Sequence, residues 1–493
     1  MPPGSGYIPA RHASRRITYG KCRISHFDDK TKRGRTGSPS TIAAICATII
    51  RRRNPDETAD VHSPGPMLVP DVAFATITKR GRMSNVRMKT DFCISTICSV
   101  VLLLDPVTAS AGPKLTVLYT FENISSGGLV EDAAGHLYGT TSSGILAPDS
   151  VFRLTPPSTV ASKWTETSLY SFTRSTRGAR PEATVIRDAN GNLFGTTWTG
   201  GAEDDGTVFE LSPPATGKKN WTERVLHSFA GGNDGANPHA PLIEDRAGNL
   251  YGTTVYGGEQ GIGVVFELVK PAAGKTTWVE RILSDFGSAS NGGNPEAPLI
   301  FDASGNLYGT TSNGGVVFEL SPANGKSDWA ETVLYKFSGG KDGGVPEGAL
   351  VLDGARNLYG TTFYGGASDA GVVFKLHPPT AHDATWRETV LHSFSGHQAG
   401  GNPAASLLLD AAGNLFGTAS AGGSYHDGVV FELIPPAPGK DAWSEKILHN
   451  FHNDGTLPKT PLIADRSGNL FGTTYDTAFE LTNSGFISHK SLP

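Results

Sequence analysis

The chain has 493 residues, with 47 acidic against 42 basic side chains and four cysteines. The balance is uneven: residues 1–87 hold 16 Lys and Arg against 6 Asp and Glu, whereas 112–493 hold 25 against 39, a net charge of −14. That acidic part lacks the basic face that nucleic acid or an anionic membrane needs in a partner. Cys22, Cys46, Cys93 and Cys98 all precede it, which excludes disulfides and thiolate metal sites there.

Residues 1–87 read as a basic leader of low order. From Met88 the chain has a lysine, an apolar run from Phe92 to Leu104 and then Ala109-Ser110-Ala111. A charged start, an apolar stretch too short to span a bilayer and an A-x-A site describe a secretory signal peptide over 88–111, cleaved after Ala111. Signal peptides begin proteins, so Met88 or Met83 is the expected initiator and 1–82 an over-extended gene start; a genuine basic leader is the alternative.

Residues 112–493 are dominated by one repeated string. It reads GHLYGTT from Gly135, GNLFGTT from Gly191, GNLYGTT from Gly248 and Gly305, RNLYGTT from Arg356, GNLFGTA from Gly413 and GNLFGTT from Gly468. The second glycines, Gly139, Gly195, Gly252, Gly309, Gly360, Gly417 and Gly472, are 56, 57, 57, 51, 57 and 55 residues apart. A period this regular implies one structural unit per repeat.

Each unit reads as four short strands. In the third repeat they are APLIED, NLYGTTVY, GVVFELV and WVERILSDF, rich in branched and aromatic residues and without a 3.6-residue stripe. DRAGN and its counterparts supply an Asp to accept turn N–H groups and a Gly for positive φ. A glycine in mid-strand implies that another group must approach closely there. Seven such units predict an all-β, seven-bladed β-propeller of four-stranded blades. The last repeat lacks its fourth strand, and LTVLYTF at 115–121 matches it in pattern. The N-terminal strand is therefore expected to complete the last blade and close the ring.

The repeated GNLYGTT…GG…GVVFEL wording, over about residues 115–481, resembles the GloVer tandem-repeat family of bacterial secreted or surface proteins. That family is defined by its repeats and by varied C-terminal sorting anchors rather than by an activity. The resemblance implies export and repeat architecture and carries over no catalytic residue. The chain ends TNSGFISHKSLP without an apolar tail, so release into the periplasm or medium is expected rather than anchoring.

Repeated polar positions read as architecture. WxE opens the fourth strand six times, with Trp expected to pack on a neighbouring blade and Glu to answer a backbone or basic group. His227, His392 and His449 alternate with Tyr119, Tyr170, Tyr335 and Ser284 at one repeat position, which marks packing or hydrogen bonding. No HExxH, GxSxG or Walker motif is present. Glu203–Asp205 lacks EF-hand spacing, and Arg174, Arg177 and Arg180 are positioned in sequence to neutralise it.

Function is expected where repeats diverge, on the links from fourth to first and from second to third strand, which share one face. Just after the loop proline stand Glu182, His239, Glu296 and Glu347, with Ala404 and Lys459 completing a ring at the channel mouth. Just after the GTT strand stand Trp198, Tyr256, Phe363, Tyr364, Tyr425 and Tyr475, flat rings suited to sugars. The expected function is a secreted, monomeric, non-catalytic binding or scaffolding module, with polysaccharide or cell-surface glycan as partner and no cofactor or metal. The alternatives are a glycan lyase or hydrolase using Glu182, Glu296 or Glu347 with His239, and a purely structural surface protein.

Overall fold

A computed structural model describes residues 112–142, 148–159, 162–173, 177–287, 291–323 and 329–489. The leader, the signal peptide and its cleavage site lie outside them. The described residues form seven antiparallel sheets and no α-helix, and none of their helices is long and apolar enough to cross a membrane. Blade 3 shows the plan, running from a short inner strand to a long outer one: Ile243–Glu244, Leu250–Thr254, Val264–Val269 and Val279–Asp285. The chain is a seven-bladed β-propeller.

Each blade is covered on both faces by its neighbours, so its middle strands are apolar on both sides. Val264, Val265, Phe266 and Leu268 are all fully buried in succession, the pattern expected of strands covered on two faces. The core is accordingly divided into seven clusters, each drawn from two adjacent blades. Leu226 and Phe229 of blade 2, for example, pack with Leu242, Leu250 and Phe266 of blade 3. The tryptophan of each WxE docks on the preceding blade: Trp329 of blade 4 meets the Tyr251 ring of blade 3 at 6.3 Å.

The ring closes as the sequence predicts. Lys114–Thr120 pairs antiparallel with Thr477–Thr482, placing Leu115 opposite Leu481 and Val117 opposite Phe479. Leu118 and Phe121 then pack with Phe471 and Ala478 of blade 7 and with Leu137 and Phe152 of blade 1. Blade 1 differs from the rest by an added strand, Ile124–Ser125, against Leu137–Ser142.

The repeated string now has a physical account. Asp245 Oδ1 accepts the N–H groups of Ala247 and Asn249 at 2.8 Å each, while Gly248 turns at φ +85°. In mid-strand, a Cβ on Gly252 would stand 2.6 Å from Cζ of Phe266, its partner across the strand pair. The glycine makes room for that ring, and the ring covers the bare backbone. In six blades the first threonine of the motif donates to a backbone carbonyl of the next blade, as Thr140 does to Ala183 at 3.0 Å.

Each outer strand also carries a bulge at the leucine of its motif, such as Leu226 between Val225 and His227. The extra residue re-aims the side chains beyond it. His227, Tyr170, Ser284 and His392 thereby face the glutamate of the next blade.

Candidate functional site at the channel mouth

Isolated bridges tie the two divergent links together: Ala236 to Tyr256, Gly293 to Asn313, Gly344 to Tyr364 and Gly401 to Ala421. Both links therefore share one face, as the strand order predicts. On that face Glu182, His239, Glu296, Glu347, Ala404 and Lys459 line one axial cavity of about 280 Å³. Ser126 supplies the seventh position. Sequence reading missed it because blade 1 enters through Ile124–Ser125 and not through the loop proline that marks the position elsewhere.

Charge around this ring is mixed. Arg180 donates from Nη2 and Nε to Glu182 Oε1 at 2.7 and 3.1 Å, and His239 Nε2 lies 3.7 Å from Glu182 Oε2. Burial, reinforced by the negative charge of Glu296, pushes the Glu347 carboxyl up to about 7, against the opposing pull of Lys459.

A groove of about 590 Å³ opens from the cavity across blades 7, 1 and 2 to the entry of blade 3. Arg180, Glu182, His239, Leu457, Lys459 and Tyr475 line it. The predicted aromatic series divides here. Trp198 stands edge-on to His239 at 5.7 Å and to Tyr256 at 6.1 Å, with the Arg180 guanidinium 5.8 Å from its ring. Tyr475 lines the groove itself. Phe363 and Tyr364 instead meet each other at 4.7 Å, and Tyr425 stacks on His452 at 4.0 Å.

The residue before each loop proline is held at positive φ: Arg180, Asn237, Asn294, Val345, Asn402 and Leu457 lie between +51° and +58°. Asparagine tolerates that region, and its amide is used: Asn237 donates to the carbonyl of Trp198 at 2.8 Å, Asn294 to that of Val255 and Asn402 to that of Phe363. Arg180 and Leu457, two of the three departures from asparagine, line the groove. At these two positions the same positive φ is held without the amide's hydrogen bond. The departures from asparagine were the sequence signal that could have found Arg180.

Two further readings change. The arginines expected to neutralise Glu203–Asp205 answer other carboxylates: Arg177 Nη1 contacts Glu223 at 2.8 Å, Arg180 pairs with Glu182, and Arg174 lies outside the described residues. The WxE glutamates and the His/Tyr/Ser position, read separately in sequence, are partners across blades. His392 lies 3.5 Å from Glu445, and Tyr170 donates to Glu223 at 3.5 Å. At the interface of blades 2 and 3, His227, Asp234 and Glu280 form the group of three. Burial, and after it the neighbouring Asp234 carboxylate, push the Glu280 carboxyl up to about 10. Asp234 is pushed up by burial too, but its neighbours His227 and Glu280 outweigh that and hold it at about 2.

A ring of seven four-stranded blades with a mixed-charge, partly aromatic mouth defines a repeat propeller with a candidate ligand site on its axis. The chain belongs to the Gloeobacter/Verrucomicrobia repeat family, whose model matches residues 125–356 and 312–487. No curated protein matches the sequence. Among solved structures it is similar to virginiamycin B lyase from Staphylococcus aureus (13% identity, 75% of this chain and 98% of that one, TM-score 0.47). It is also similar to a luciferin-regenerating enzyme (11%, 77% and 98%, TM-score 0.41) and to hydrazine synthase from Kuenenia stuttgartiensis (13%, 72% and 94%, TM-score 0.45). At such identities and scores, these likenesses carry no argument about activity.

Proposed function

We propose that the protein is an exported binding module that takes carbohydrate at the channel mouth without transforming it. One observation carries this reading: Arg180, Glu182, His239 and Lys459 line one groove with Tyr475, and Trp198 stands beside His239 with Tyr256 beside Trp198. Sugars present hydroxyls that want both donors and acceptors, and apolar C–H faces that lie against flat rings. Export rests on the signal-peptide pattern of 88–111, and N-terminal sequencing of protein recovered outside the cytoplasm should begin at Gly112.

A glycan panel tests the ligand class. Saturable binding that falls at least tenfold in both Arg180→Ala and Tyr475→Ala supports the proposal. Absence of binding to every neutral and acidic glycan overturns it in favour of a structural role.

One feature favours hydrolysis as a second reading. Glu347, whose carboxyl is pushed up to about 7, shares the cavity with Glu296, an arrangement that suits an acid and a base in one site. Release of reducing ends that disappears in Glu347→Gln while binding persists would replace the first reading with this one.

A further inference from the structure

We infer that His227, Asp234 and Glu280 form a binding site for one divalent transition-metal ion, of the zinc or manganese class, at the interface of blades 2 and 3. The geometry comes first. His227 Nε2 lies 3.3 Å from Asp234 Oδ2 and 3.6 Å from Glu280 Oε1, and the three candidate ligand atoms lie within 4.8 Å of one another. Ligands held at about 2.0–2.2 Å in a tetrahedron stand roughly 3.4 Å apart. The two measured separations bracket that edge.

Two of the three ligand atoms are also buried without a hydrogen bond. Nε2 of His227 and Oε1 of Glu280 are closed off from solvent, and neither makes a hydrogen bond. Buried groups left in this way cost free energy unless something answers them. Ala230 N–H donates to Asp234 Oδ2 at 2.7 Å and fixes that carboxylate in place. The Asp234 side chain retains 27% of its exposure, which leaves a path for the ion and for water in a remaining coordination position.

The ring supplies its own controls, because the same three positions recur between other blades. Between blades 1 and 2 they are Tyr170, Arg177 and Glu223, and the Arg177 guanidinium meets the carboxylate. Between blades 3 and 4 they are Ser284, Asn291 and Glu331, and both neutral groups donate to the glutamate. Between blades 5 and 6, His392 and Glu445 repeat the pair that lies close without a hydrogen bond, but Ala399 removes the third ligand. Between blades 6 and 7, His449 and Asp454 meet at 2.8 Å, and the closing strand offers Leu115 in place of a glutamate.

Among the described residues, the 2/3 interface is where imidazole and both carboxylates coincide. The nearby Asp205 carboxyl is raised first by burial and then by Asp204, Glu203 and Asp234, so the surroundings add negative charge. One nitrogen and two oxygens suit ions of intermediate hardness.

Equilibrium dialysis of the full chain against Zn²⁺ and Mn²⁺ tests the site, with Co²⁺ as an absorption probe of ligand geometry. One equivalent should bind, raise Tm by at least about 2 °C at saturation and weaken by at least about 100-fold in Asp234→Asn, since even outer-shell losses reach 10–100-fold. The double variant His227→Tyr/Asp234→Arg installs the trio already present at blades 1 and 2. It should fold with metal-free Tm close to that of the parent and bind no metal. Glu445→Gln, at the two-ligand interface, should leave metal binding unchanged. Absence of stoichiometric binding overturns the site, as does binding that survives the double variant.

Discussion

Thr473 Oγ1 donates a hydrogen bond to the carbonyl of Gly127, 3.2 Å away and 346 residues distant along the chain. The same bond links blade to blade elsewhere over about 40 residues, so the junction of blades 7 and 1 is built like the others.

If the junction is equivalent, its core should cost as much to disrupt. Phe121 is 8% exposed and lies 4.8 Å from Phe152; Phe229 is fully buried and lies 5.2 Å from Phe266. Phe121→Ala and Phe229→Ala should each destabilise by about 3–5 kcal/mol. Chemical denaturation measures both. A loss below about 1 kcal/mol for Phe121→Ala alone would mean that the closing strand frays independently.

Gly252→Ala tests the glycine–phenylalanine pair. The added methyl would stand 2.6 Å from Phe266 Cζ and 2.9 Å from Leu242 Cδ2, an overpacking expected to cost about 1–3 kcal/mol. Adding Phe266→Leu should cost less in the Gly252→Ala background than in the parent. Additive losses in a double-mutant cycle would refute the pairing.

Val345 is β-branched and held at φ +58°, where asparagine serves three other blades. Val345→Asn should relieve strain and donate to the carbonyl of Ser312, the position matching Trp198, Val255 and Phe363. A gain of about 1 kcal/mol is expected, read as a higher denaturation midpoint. An unchanged or lower midpoint would show that the backbone there is not strained.

Stability should peak on the acid side of neutrality. Burial pushes Glu347, Glu388 and Glu445 each up to about 7, with Glu296 adding to the first and Asp342 to the second. The folded state therefore keeps protons that the unfolded chain releases. This contribution is complete below about 4.5 and is lost as pH rises towards 7. His377 and His392, lowered by burial, act oppositely below 6.5 but are fewer. Asp302, Asp342 and Asp353 are pushed up by burial, yet their hydrogen bonds prevail and hold them below the usual range. Their contribution is lost under about pH 3.8. Tm should be highest between about pH 4 and 5.5, and Glu445→Gln should flatten the decline above it. A Tm that climbs steadily from pH 5 to 8 would refute the assignment.

The blades, their number and their closure were legible because period, turn chemistry and strand pattern all repeat. Glu182, His239, Glu296 and Glu347 were legible as a ring because a loop proline marks the register of each. Ser126 has no such proline and was missed. The pairing of His227 with Glu280 was illegible for a different reason. The residues lie 53 positions apart, and their meeting depends on the bulge at Leu226 re-aiming the imidazole across a blade interface. Glu203–Asp205 misled because proximity in sequence suggested arginine partners that the fold sends elsewhere.

The recurring three-position junction between blades has a consequence for how such a protein changes. Duplication handed the molecule several copies of one small polar pocket, each supported by its own hydrophobic interface, so a substitution in one copy leaves the framework of the others in place. Arginine, asparagine, aspartate and alanine now occupy the variable corner at different junctions. The architecture therefore lets single substitutions try new chemistry in parallel, without the whole molecule having to be rebuilt around any of them.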